Sequence, residues 1–270
     1  MRAYICSTCG TQFVPTEHPP AGCPLCIDER QFVPASGQSW TTLEKLQNTH
    51  SNKFRRLAPG LTTIETTPAF GIGQRAFLVQ TPTGNVLWDC VAVVDDATVD
   101  LLRGMGGIAA IAISHPHYYT TMVEWSRSLG NVPIYLHAAD REWVMRPDPA
   151  LQFWEGDTKP IAPGLTLLRL GGHFAGGTVL HWADWSDGRG VLLSGDILQV
   201  VPSGHVSFMW SYPNLIPLSA TKVQCMAEIL EPFAFDAVYG AFSGRGQIDV
   251  HAKQVVAASF ARYIARISER

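Results

Sequence analysis

Two short cysteine pairs constrain this chain more than any other feature. Cys6-Ser-Thr-Cys9-Gly and Cys23-Pro-Leu-Cys26 are separated by thirteen residues. A CxxC turn aims two thiols at one point, and two such turns supply four soft ligands in a closed tetrahedral shell. The roughly thirty residues around them cannot bury a sufficient core, so metal binding and folding are one event for this segment. A closed thiolate shell leaves no position for a substrate. The expected role is structural, with zinc as the ion. Cys90 and Cys225 stand far apart, and in a reducing compartment paired CxxC turns are metal ligands rather than disulfides.

The rest of the chain has the makings of a packed domain. Hydrophobic residues are 46% and charged residues 16% of the 270, values of an ordinary globular core. A net charge of -3 and a pI near 6.3 give no electrostatic reason to expect nucleic acid or an anionic membrane. No apolar run is long enough to span a bilayer, and MRAYICSTCG has no charged-then-apolar leader. A cytoplasmic protein acting on a small-molecule substrate is expected, with no nucleic acid and no membrane. The oligomeric state is left open, a homodimer included.

Along the chain, residues 1–35 read as the cysteine module and residues 36–56 as a linker with a short helix. Pro34-Ala35-Ser36-Gly37-Gln38-Ser39 is rich in loop formers. Thr41-Thr42-Leu43-Glu44 has capping-box spacing for a helix to about residue 49. Residues 57–270 read as one large domain. It starts with the β-prone runs LTTIET (61–66), RAFLVQT (75–81) and NVLWDC (85–90). Helices at 98–103, 122–129 and 138–145 then alternate with the strands IAAIAI (108–113) and PIYLH (133–137). LTLLRL (165–170), TVLHW (178–182), VLLSGD (191–196) and DAVYG (236–240) are further strands, and helices at 219–230 and 250–267 complete the pattern. This order suggests two sheets with helices packed outside them.

The strand at 108–113 runs into Ser114-His115-Pro116-His117-Tyr118-Tyr119-Thr120. Two histidines at i and i+2 of an extended chain project to one side, and the carboxyl end of a buried strand is where α/β proteins place ligands. Gly171-Gly172-His173-Phe174-Ala175-Gly176-Gly177 follows LTLLRL, and Ser194-Gly195-Asp196 ends VLLSGD. A strand-terminal HxH, a GGH turn and a strand-terminal GD, in that order, closely resemble the metallo-β-lactamase superfamily. The resemblance spans roughly residues 57 to 265. It implies an α/β (α+β) fold, an αββα sandwich with metal held at one edge of its two sheets. It also implies that His115 and His117 match the paired histidines of the family's HxHxDH motif, that His173 matches its later histidine, and that Asp196 matches the aspartate bridging two metals in binuclear members. The cysteine module is similar to zinc-ribbon and rubredoxin-like knuckles. Its loop is shorter than in rubredoxin, which puts iron second to zinc.

The match breaks at three places. Tyr119 stands where the family has aspartate, Thr120 where it has histidine, and Gly240-Ala241-Phe242-Ser243-Gly244-Arg245 has no histidine after the strand DAVYG. These are the ligands private to the second metal. Their joint loss, beside a kept first set, argues for a one-metal site of His115, His117, His173 and Asp196. Zinc suits it, with iron or manganese as alternatives. Asp196 is then expected to ligate, to orient the attacking water, or both. Tyr118 or Tyr119 would offer a hydrogen bond to a developing oxyanion.

The expected activity is metal-dependent hydrolysis of a small ester, thioester or lactone. Two readings of other classes stand beside it. One is a catalytically inactive binding or scaffold protein of the same fold, docking through its zinc module. The other is a redox protein with iron in the cysteine module; flavodiiron proteins pair a similar fold with rubredoxin-like partners, but their second-iron ligands and flavin domain are absent here. His18, His50, His137, His181 and His251 read as solvated, packed or cap-region residues. His205 follows the Asp196 strand on a loop that could reach the site, and the aromatic segment 208–213 reads as pocket lining or packing.

Overall fold

The computed structural model describes residues 1–244 and 246–268. It divides into two compact units: one of Met1–Leu136 with Asp140–Phe153, the other of His137–Ala139 with the chain from Trp154 onward.

The sheet of the first unit has the order Ser51–Ala58, Leu61–Thr67, Ala76–Thr81, Gly84–Trp88, Ala110–Ala112, Ile134–His137 and Leu151–Trp154. The first four strands form antiparallel hairpins. The next two pairings are parallel, with Leu87 opposite Ile111 and Ile111 opposite Ile134. Parallel neighbours need crossovers, and here these carry the helices Asp96–Gly104 and Met122–Ser128. The first helix begins where Asp95 accepts from Thr98 N–H at 2.7 Å, and it buries Thr98, Val99 and Leu102 on one face. Leu78, Leu87, Ile111 and Ile134 are fully buried. Each such side chain contributes roughly 1.5–3 kcal/mol.

The cysteine module belongs to this unit. Ile5–Cys6 pairs antiparallel with Trp40–Thr41, and Ile5 packs with Leu46, Ala92 and Val93. The segment read as a linker thus supplies a strand, the helix Leu43–Gln47 and the first residues of the strand Ser51–Ala58. The cap of that helix is Thr42, which accepts from Lys45 N–H, and not the preceding threonine of the capping-box reading.

The second unit is built on the strand order Thr158–Ala162, Leu165–Arg169, Thr178–Trp182, Val191–Gly195, Ala237–Gly240 and Gln247–Ile248. Val191–Gly195 and Ala237–Gly240 run parallel, and the connection between them holds the helix Ala220–Leu230. That helix and Ala252–Ser268 pack over a core that includes Leu168, Val179, Leu192, Val223, Met226 and Phe260. Ser219 caps the first of the two by accepting from Lys222 N–H.

Three local expectations differ from what is found. Residues 138–143 form a 3-10 segment kinked at the buried Asp140, not an α-helix. Leu151–Trp154 and Thr158–Ala162 are strands that polar and proline-bearing sequence concealed. The aromatic segment splits: Phe208 is buried and stacks on Phe260 at 4.9 Å, so it is core rather than pocket lining.

Candidate metal sites

The four module cysteines converge. All are buried, and their sulfurs lie within 4.8 Å of one another, with Cys6 and Cys26 at 3.6 Å and Cys9 and Cys23 at 3.7 Å. A regular tetrahedron of sulfurs around an ion at about 2.3 Å has edges of about 3.8 Å. The spacing therefore fits a thiolate cage, and each cysteine is a free thiol rather than half of a disulfide. The first knuckle is closed by Gly10 N–H on the Cys6 carbonyl at 2.8 Å, with Gly10 at φ +84°, a conformation that glycine adopts without penalty. The second knuckle opens the short helix Pro24–Ile27. Gln38 bridges the two, accepting from Cys23 N–H at 3.2 Å and donating to Cys6 Sγ at 3.1 Å. Hydrogen bonding among the four thiols lowers Cys6 and Cys23 and raises Cys9 and Cys26.

In the same unit, the chain leaves the strand Ala110–Ala112 through Ser114 to His115 and His117. Both histidines are buried, with ring centroids 5.2 Å apart. Tyr118 sets its ring edge against His115 at 4.4 Å. Ser114 donates its N–H and its hydroxyl to Asp89 Oδ1, at 2.7 and 2.8 Å. The hydroxyl also lies 3.0 Å from His115 Nδ1. A serine hydroxyl has one proton, and the carboxylate can only accept it. His115 Nδ1 must then carry its own proton toward Ser114 Oγ, which leaves Nε2 as the ligating nitrogen. His117 is pushed down to about 3, first by burial and then by the nearby Arg30 charge, with Asp28 opposing. It is a neutral imidazole at physiological pH, the form that binds metals. Burial, and after it the charge of Asp140, raises the Tyr119 phenol, so that side chain stays protonated.

The second unit presents His173 and Asp196. The turn that carries His173 is closed by Leu170 and Gly171 N–H groups on the Gly177 carbonyl, both at 2.9 Å. A side chain at Gly177 would collide with the Gly171 carbonyl oxygen, 1.9 Å from the Cβ position. The glycines of this turn are thus required by its tightness. Asp196 follows the buried strand Val191–Gly195. His173 Nε2 stands 3.7 Å from Asp196 Oδ1, too far for a hydrogen bond and close to the separation of two ligands on a common ion. Tyr212 donates its hydroxyl to the Asp196 carbonyl at 3.0 Å and packs edge-on toward His173 at 6.2 Å.

Among the described residues, the four cysteines of the first unit could hold a metal ion, while His115 and His117 of that unit and His173 of the second each offer a buried imidazole. The histidines set aside from the sequence are engaged otherwise. His137 Nε2 meets the Gly156 carbonyl at 3.0 Å, and His181 Nε2 meets that of Ala234 at 2.7 Å. His205 Nδ1 lies 3.2 Å from its own loop's Ser203 carbonyl. After the strand Ala237–Gly240, Ala241 N–H donates to the Gly195 carbonyl at 2.7 Å; Arg245 of that stretch lies outside the described residues. Sequence reasoning missed Asp89 and Ser114, and had Tyr212 only as part of the aromatic segment 208–213. The signal for Asp89 was an acidic residue next to the end of the β-prone run NVLWDC, where it takes φ +60°.

No family model matches the chain. YmaE, an uncharacterized protein of Bacillus subtilis (strain 168), is 47% identical over 271 residues, covering 99% of this chain and 98% of its own. The metallo-β-lactamase DIM-1 matches at a TM-score of 0.57 and 12% identity, over 76% of this chain and 96% of its own. The metallo-β-lactamase FIM-1 from Pseudomonas aeruginosa, solved in a mono-zinc form, matches at 0.55 and 14%, over 78% and 95%. The fold is that of the metallo-β-lactamases, as the order of motifs implied.

Proposed function

The chain belongs to the family of Bacillus subtilis YmaE, and from that membership and its metallo-β-lactamase fold we propose that it is a metal-dependent hydrolase of small esters, thioesters or lactones. His115, His117, His173 and Asp196 would hold a single ion, zinc in the first instance. The cysteine module would hold a second, structural zinc.

One observation carries this reading most directly. The histidines are buried, His117 is held neutral, and His115 has its Nδ1 occupied by Ser114, so that Nε2 is presented for ligation. Such preparation suits a metal site and costs stability without one. The donor set, imidazoles with one carboxylate, is of the kind that catalytic zinc takes. A single ion is favoured because Tyr119 and Thr120 occupy the positions of second-metal ligands in the resembling family, and FIM-1 was itself solved in a mono-zinc form.

A bound divalent ion supplies Lewis acidity to a substrate carbonyl and to the attacking water. The chain supplies the rest. Asp196 orients and receives the proton of the attacking water, with Tyr212 fixing its backbone. Tyr118, packed against His115, donates its phenol proton as a hydrogen bond to the oxygen on which charge develops. The Asp89–Ser114 pair holds the His115 ring during turnover.

Elemental analysis of wild type and of a His115→Ala/His173→Ala double variant tests the reading. Two ions per chain in wild type and one in the variant are expected, with hydrolysis of an ester, thioester and lactone panel lost in the variant. One ion in both proteins would leave the cysteine module as its holder and replace the hydrolase by a binding or scaffold protein.

A further inference from the structure

The cysteine module grips the chain where it leaves the histidine pair. Gln12 donates its backbone N–H to the Thr120 carbonyl at 3.1 Å. Its side-chain amide donates to Glu124 Oε1 at 3.3 Å, and its Oε1 accepts from Arg146. Gly10 faces the same residue, since a methyl added to it would stand 3.4 Å from Thr120 Cγ2. Thr120 has φ +35°. A β-branched residue keeps that conformation only where its surroundings hold it.

Hydrogen bonds from flanking segments hold it there. Thr120 Oγ1 donates to the Val91 carbonyl at 3.4 Å, and Thr121 Oγ1 to that of Ala92 at 3.0 Å. From the opposite side comes Gln12 N–H, whose position is set by the first knuckle. There Cys6 N–H donates to the Thr11 carbonyl at 2.9 Å, and Gly10 N–H to the Cys6 carbonyl at 2.8 Å. A knuckle without its ion has too little core to keep this shape. Thr120 would then relax to negative φ, and the turn ending Ser114–Tyr119 would move with it.

We propose that the ion of the cysteine module sets the geometry of the histidine pair, with Thr120 as the positioning residue that couples them. The coupling rests on the reading of the histidines as a metal site, and it is reciprocal, each ion tightening the other. The module is thus a control on the active site as well as a fold-stabilising appendage.

Cobalt titration separates the two sites, because thiolate-to-cobalt charge transfer reports the cysteines and weaker ligand-field bands report the histidines. Gln12→Pro removes the donor N–H and keeps all four cysteines. It is expected to retain the charge-transfer band and to bind cobalt at the histidines about tenfold or more weakly. Cys9→Ser, which abolishes the first band, should show the same weakening. Adding Thr120→Asn, a residue at ease in the left-handed region, should recover most of the loss, a rescue that a merely structural role would not give. Wild-type affinity at the histidines in either Gln12→Pro or Cys9→Ser would overturn the proposal. Amide exchange over residues 115–121 gives a readout independent of any ion at the histidines. Exchange about tenfold faster in Gln12→Pro is expected, and unchanged protection would also overturn it. A wild type that binds no ion at the histidines but shows the exchange effect would defeat the hydrolase reading alone.

Discussion

Ser114 Oγ lies between Asp89 Oδ1, at 2.8 Å, and His115 Nδ1, at 3.0 Å. The three form a carboxylate–hydroxyl–imidazole relay buried in the first unit. Groups of this kind fix the tautomer and the ring orientation of a ligand, and losing one weakens metal binding about 10–100-fold. Asp89→Asn keeps the shape and removes the charge. It should lower zinc affinity at the histidines within that range and leave the cysteine ion in place, as competition with a chromophoric chelator would read. Wild-type affinity would remove the relay from the site.

The neutral state of His117 makes stability depend on pH. Its folded value is about 3 against an ordinary value near 6.5. As pH falls through 6.5 the unfolded chain takes up a proton that the folded chain refuses until about 3. Stability is therefore lost as acid is added across that window. With the histidine site stripped of metal, urea unfolding at pH 4.5 should give a free energy about 2–3 kcal/mol below that at pH 7.5. His117→Phe should flatten the slope by about one proton. An unchanged slope would mean that His117 is not the group responsible.

Removing the cysteine ion should loosen the whole module. Its apolar packing is small, centred on Phe13 and Leu25 with Trp40 and Trp143 at the margin, and Phe13 meets Trp40 edge-on at 5.1 Å. Cys23→Ser is expected to lower the melting temperature by about 5 °C or more and to admit protease cleavage within residues 1–40. Retained protection would show that the module folds without its metal.

The two tyrosines should separate by function. Tyr118→Phe is expected to reduce kcat about 100-fold with KM little changed, as loss of an oxyanion donor does. Tyr119→Phe should have a smaller effect, because its phenol is placed near Asp140 rather than against His115. Equal turnover in both variants and wild type would end the phenol role.

Phe208→Ala tests the assignment of the aromatic segment. A buried ring stacked on Phe260 should cost about 3–5 kcal/mol of stability, measured by chemical unfolding. Metal content should be unchanged.

Much of the candidate site was legible because its signals are local. The HxH pair after an apolar strand was legible as a pair, although Pro116–Tyr118 is a 3-10 turn and not the extended chain expected, and the glycines around His173 announce a tight turn. CxxC spacing announces a thiolate cage. The strands that carried these motifs were apolar enough to read, as in VLLSG and TVLHW. Leu151–Trp154 and Thr158–Ala162 were not, since half-exposed edge strands with Pro160 lack a strong apolar pattern. The segment 138–145 looked helical by composition, yet the buried Asp140 breaks it.

The sequence by itself determined which atoms are offered: four thiols, three imidazoles and one carboxylate, each at a strand end or turn defined by its neighbours. Only the tertiary structure decided how they are held. Asp89 and Ser114 meet at a separation of 25 residues, Gln12 reaches Thr120 from another part of the chain, and burial, with the nearby Arg30 charge, makes His117 neutral. These are contacts between segments remote in sequence, and no local periodicity encodes them. They follow from packing, which brings hydrogen-bonding groups into a dry interior where each must find a partner.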